Sequence, residues 1–110
     1  MNKLRAIAPF TREAKRLLKK YASLEGELEQ LFVTLREQPT TGISIGKNCY
    51  KIRLKIASKG KGKSGGARVV TCVVAVAETV YLLSIYDKAE QSALDDSRLQ
   101  ELLQLVPPAA

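Results

Sequence analysis

Three basic side chains, Lys51, Arg53 and Lys55, stand at alternate positions in a run whose intervening residues are apolar: Tyr50, Ile52, Leu54 and Ile56. Period-two alternation is the signature of a β-strand with one buried face. Residues two apart on a strand share a face at roughly 6.6–7 Å, so these cations form a row. Arg68 opens the next apolar run and adds a guanidinium to that row if the strand register permits. Arginine grips a phosphate through two donors, whereas lysine is a compact charge whose proton is more easily moved. Such a row predicts a phosphodiester ligand and, with one lysine moving a proton, acid–base chemistry on it.

The charge distribution points the same way. The chain has 110 residues and a formal net charge of +7. Gln38 to Ala77 holds Lys47, Lys51, Arg53, Lys55, Lys59, Lys61, Lys63 and Arg68 but no acidic residue. A one-sign patch concentrates polyanions, which makes nucleic acid the expected ligand. With no histidine, histidine-based catalysis and most zinc sites are excluded. Cys49 and Cys72 have no metal or disulfide-framework spacing and read as small core residues. No cofactor and no metal are expected. The longest apolar run, Val69 to Ala77, is far short of the ~18–20 residues of a membrane span, and there is no room for a signal-peptide core. A cytoplasmic chain without membrane partners is the expectation. Residues 1–110 are read as a single domain.

The elements that must position the row follow from periodicity. Asn2 to Ala8 predicts a short strand ended by Pro9 and Phe10. Thr11 reads as the N-cap of a helix to Ala22 with Leu17, Leu18 and Tyr21 on one face. Ser23 caps a second helix carrying the stripe Leu24, Leu28, Leu31, Phe32 and Leu35, stopped by Pro39 and Gly42. Cys49 to Ala57, Ala67 to Ala77 and Val80 to Tyr86 are strands of an antiparallel meander, with Ser58 to Gly66 a long mobile loop. Asp95 or Asp96 caps a last helix bearing Leu99, Leu102 and Leu103. The order β-α-α-β-β-β-α predicts an α+β fold, a meander of three strands plus an N-terminal strand, with helices on one sheet face. The glycines and lysines of 59–63 are only superficially a phosphate loop, because Gly62-Lys63-Ser64 precedes a strand rather than a helix.

Several runs together resemble a known family. Tyr50-Lys51-Ile52-Arg53-Leu54, Lys63-Ser64-Gly65-Gly66-Ala67-Arg68-Val69-Val70 and Tyr81 to Lys88 resemble the RelE/HigB branch of the RelE/ParE toxins of type II toxin–antitoxin systems. Thr11-Arg12-Glu13-Ala14-Lys15 and the leucine-rich helices are similar too. The likeness runs from Phe10 to Leu103, and Ser64-Gly65-Gly66-Ala67-Arg68 is its most specific part. It implies a RelE-like α+β toxin that cuts mRNA on the ribosome without a metal and is neutralised by a cognate antitoxin. On the matched positions Lys51, Arg53, Arg68, Tyr86 and Lys88 become the catalytic set. Lys47, Lys55, Lys59, Lys61 and Lys63 become RNA-binding positions. The catalytic tyrosine that RelE enzymes carry further along has no counterpart here, and Leu94 stands about where it would fall.

Bland readings stand beside these. Arg68 could pair with Glu78 or Asp87; Tyr86 could be a core-edge aromatic; Asp87 could cap the turn after its strand or orient Lys88. Two other functions remain: a ParE-like gyrase-inhibiting toxin, which needs no phosphate site, and a non-catalytic nucleic-acid-binding module. The second would be favoured by aromatic stacking platforms, yet aromatics are only 5% and Trp is absent.

Overall fold

The structure, a computed structural model, describes residues 1–59 and 65–108. Its elements are β1 (Lys3–Ala6), α1 (Ala8–Lys20), α2 (Leu24–Glu37), β2 (Ile43–Gly46), β3 (Cys49–Leu54), β4 (Ala67–Val74), β5 (Thr79–Asp87) and α3 (Asp96–Leu103). The strands form one sheet in the order β1-β5-β4-β3-β2. β1 runs parallel to β5, and the other neighbours are antiparallel. The α+β class, the meander and the N-terminal strand are as expected, with one strand more than the sequence suggested. That strand, β2, is exposed at all four positions, so it carries no burial signal. It reaches β3 through Gly46, Lys47 and Asn48, all at positive φ.

Helix boundaries obey simple chemistry. α1 begins at Ala8, before the expected Thr11 cap, with Pro9 inside its first turn. There a missing N–H costs nothing and the fixed φ suits the helix. The leucine stripe of α2 is buried at Leu24, Leu28, Leu31 and Leu35 as its spacing predicts. Ser23 precedes α2 without capping it; its hydroxyl instead contacts Glu27 and Ser58. Asp95 does cap α3, accepting from the Arg98 amide at 2.8 Å. β4 stops at Val74, three residues short of Ala77, where a 3-10 turn leads into Glu78 at φ 47°.

The expectation of helices on a single face is corrected. α1 and α2 cover one face, burying Phe10, Leu17 and Leu31 against Ile52, Val69, Leu82 and Ile85. α3 lies on the other, with Leu99 and Leu102 among Val70, Cys72, Leu83 and Tyr86. β4 explains why: it is buried continuously from Ala67 to Cys72, and a strand apolar on both sides needs cover on both. Cys49 and Cys72 face each other directly across β3 and β4, both buried. Among the described residues no helix is long and apolar enough to cross a membrane.

Candidate functional site

Register decides which cations meet. Arg53 pairs with Arg68 across β3 and β4, and Arg68 pairs with Tyr86 across β4 and β5. The three therefore form one line across the sheet, on the face that α3 covers further along. Lys51 lies in the adjacent row, opposite Val70 and Ser84. Neighbouring strands are about 4.8 Å apart, so the line sets two arginines and a tyrosine side by side on one face.

Arg68 is the unusual member, only 6% exposed. Its Nη1 donates to the carbonyls of Gly65 and Ala67. No carboxylate pairs with it among the described residues, so neither Glu78 nor Asp87 is its partner. Burying a cation without a counter-charge costs several kcal/mol. A buried arginine held by carbonyls, with no counter-charge among the described residues, is poised for an anion. Beside it, Arg53 is exposed and Lys51 half-buried. Tyr86 is buried, and its hydroxyl has no hydrogen-bond partner among the described residues. Burial pushes that phenol's pKa up, with the Arg68 charge pulling against it, so the group stays protonated near neutral pH.

Gly65 and Gly66 explain the Ser-Gly-Gly-Ala-Arg run physically. Both have positive φ. A Cβ on Gly65 would come within 2.6 Å of the Lys88 side chain, and one on Gly66 would strike the Leu54 carbonyl. The two glycines thus let the entry to β4 close against β3 and the end of β5. The Lys88 amide donates to Gly66 O at 3.0 Å, and its ammonium to Ser92 O at 2.5 Å. Lys88 is in this way set beside the carbonyl cage of Arg68.

Not every predicted cation joins the site. Lys55 is exposed, just past the end of β3. Lys47 is exposed in the β2–β3 turn, at the opposite end of β3 from Arg53. Lys61 and Lys63 lie outside the described residues. Lys59 is corrected: it is buried, its Nζ 2.7 Å from Asp87 Oδ1 and 3.3 Å from Gly66 O. An ammonium committed to a buried carboxylate is not offered to RNA.

That ion pair belongs to a cluster the sequence concealed. Asp87 also accepts from the Tyr21 hydroxyl at 2.5 Å and the Ala89 amide at 2.9 Å, so it does cap the turn after β5. Burial alone would raise its carboxyl, but Lys59, Tyr21 and Ala89 outweigh it and hold the group at about 2. Only the charge pairing across twenty-eight residues could have signalled this, and many lysines compete for it in the sequence. Beyond Tyr86 a polar cleft opens between α1 and α3, and Leu94 is in its lining. Among the described residues no three His, Cys, Asp or Glu side chains converge to hold a metal.

No family model matches the chain. Among solved structures it is similar to E. coli toxin RelE in the free state, in a form with two arginines replaced by alanine. The TM-score is 0.63 at 19% identity, over 94% of this chain and 95% of that one. The isolated E. coli RelE toxin gives a TM-score of 0.61 at 17% identity, covering 96% of this chain and all of that one. A chain of the intact E. coli RelBE toxin–antitoxin complex gives 0.61 at 21%, over 79% of this chain and 96% of that one. Identities this low establish a common fold: the chain is RelE-like in architecture.

Proposed function

We propose that this chain, built on the RelE fold, is the toxin of a type II toxin–antitoxin system and cuts mRNA on the ribosome. The observation that carries the reading is Arg68, a buried cation without a counter-ion among the described residues, aligned with Arg53 and Tyr86. The reaction is attack by the substrate's own 2′-hydroxyl on the adjacent phosphorus. It expels the 5′-oxygen of the next nucleotide and leaves a 2′,3′-cyclic phosphate and a 5′-hydroxyl end. Lys51 assists removal of the 2′-hydroxyl proton. Arg53 and Arg68 stabilise the charge that grows on the phosphorane-like transition state. Tyr86, kept neutral by burial, or Lys88 returns a proton to the leaving oxygen. The ribosome contributes by holding the mRNA bent toward in-line attack.

The partner is a cognate antitoxin. One of the similar solved structures is of a toxin–antitoxin complex and another of RelE with an antitoxin peptide, and an uncontrolled nuclease of this kind would arrest its own host. The test is expression in cells with mapping of mRNA 5′ ends, beside the Lys51→Ala/Arg68→Ala double variant. Codon-positioned cuts that vanish in the well-expressed variant are expected. Full toxicity of the variant, or DNA-damage signalling without cuts, would overturn the reading.

A further inference from the structure

β1 reaches only to Ala6, opposite Leu82, so beyond that point the outer edge of β5 has no strand beside it among the described residues. The Lys88 amide donates to Gly66 O, which makes that pair a hydrogen-bonded rung of the β4–β5 ladder. Alternation along the ladder then turns the peptide groups of Ser84 and Tyr86 toward β4 and those of Ile85 outward. Outward lies the cleft of about 200 Å³ between α1 and α3, lined by Arg12, Arg98, Ile85, Tyr86 and Leu94.

Its features converge on one kind of ligand. α1 borders the cleft with one face of its first two turns, at Pro9, Arg12 and Glu13, and its first turn holds no acidic residue. Arg12 rises from the same end of the helix and Arg98 comes from α3. The Tyr86 hydroxyl, in a residue 3% exposed, has no partner among the described residues. Arg98 Nη1 is 3.7 Å from Glu101 in an exposed pair that binds it weakly. Glu13 also borders the cleft, but its carboxylate is engaged by Arg16 at 3.2 Å. Two arginines, an outward peptide N–H and a buried hydroxyl around a largely polar cleft suit a monoanionic phosphodiester.

We infer that this cleft is a second phosphate subsite, which takes the phosphodiester next to the one gripped by Arg53 and Arg68. The inference rests on the RNA-cutting reading above. Arg53, Arg68 and Tyr86 mark a line perpendicular to the strands, and one further strand spacing along it, about 4.8 Å, enters the cleft. A single strand lying along that line presents successive phosphates to the two sites.

The test uses programmed ribosomes and mRNAs in which one phosphate flanking the cut, on the 5′ or the 3′ side, is an uncharged methylphosphonate. One of the two substitutions is expected to slow the wild-type chain about tenfold. Arg12→Ala/Arg98→Ala should be about tenfold slower on unmodified mRNA and lose nothing more on that modified one. Both side chains are exposed, so an unchanged melting temperature checks the fold. Losses that multiply, or a variant as fast as wild type, overturn the subsite. A wild-type chain that leaves unmodified mRNA intact overturns the reading beneath it instead.

Discussion

At the scale of single residues, Arg68 carries the argument because it is in the wrong place for stability. A buried arginine, 6% exposed and with only carbonyl partners among the described residues, is a strain that a bound phosphate relieves. Arg68→Met should therefore lower cleavage on programmed ribosomes by about 10²–10³. Its melting temperature should hold or rise, since an apolar side chain replaces an unpaired buried charge. A variant that both loses activity and melts well below wild type would make Arg68 a structural residue. Arg68 and its neighbours Arg53 and Lys51 were legible in the sequence, because alternation on a strand is a local property. Lys59 was not: its alternation with Lys61 and Lys63 looks like part of a solvated finger, yet Asp87 takes its charge inside.

At the scale of elements, the Lys59–Asp87–Tyr21 cluster fastens three segments together. Tyr21 closes α1, Lys59 ends the 3-10 turn after β3, and Asp87 is the last residue of β5. Asp87→Asn leaves the Lys59 ammonium buried without its counter-charge and should cost about 3–5 kcal/mol in urea unfolding. Adding Lys59→Met should recover much of the loss, because the pair is then absent rather than broken. The pH dependence follows from the depressed carboxyl at about 2. A carboxyl held below its unfolded value of about 3.9 contributes its full stability above that pH and loses it as pH falls toward 2. Wild-type melting temperature should therefore drop below about pH 4, and a variant lacking both Lys59 and Asp87 should drop less. A parallel fall in both would remove Asp87 as the cause.

At the scale of the whole molecule, the charge excess is asymmetric. The acids all lie before Gln38 or after Ala77, while Gln38 to Ala77 has none, so the field favours RNA approaching the sheet face that bears Arg53. If Lys51, Arg53 and Arg68 each replace a counter-ion on a single strand, they contribute about −2 to the slope of log affinity against log salt. Fluorescence anisotropy with a short RNA measures it, and alanine at all three positions should make the slope shallower by about 2. A slope unchanged by the triple substitution would assign the binding to other cations. The RelE-like architecture leaves α3 and the α1–α2 hairpin on opposite faces, so the basic row lies in the part of the α3 face that α3 leaves open.

Local chemistry alone determined the helical hairpin, the alternating strand, a cap at Asp95 or Asp96 and the basic row, because each rests on spacing within a few residues. Tertiary structure decided the rest. The direct opposition of Arg53, Arg68 and Tyr86 depends on strand register, which residues far apart in the chain set together. The fate of Lys59, the hidden strand β2 and the cleft between α1 and α3 depend on which charges and edges end up covered. Burial and cross-strand pairing are properties of the assembled sheet, and no short stretch of sequence contains them.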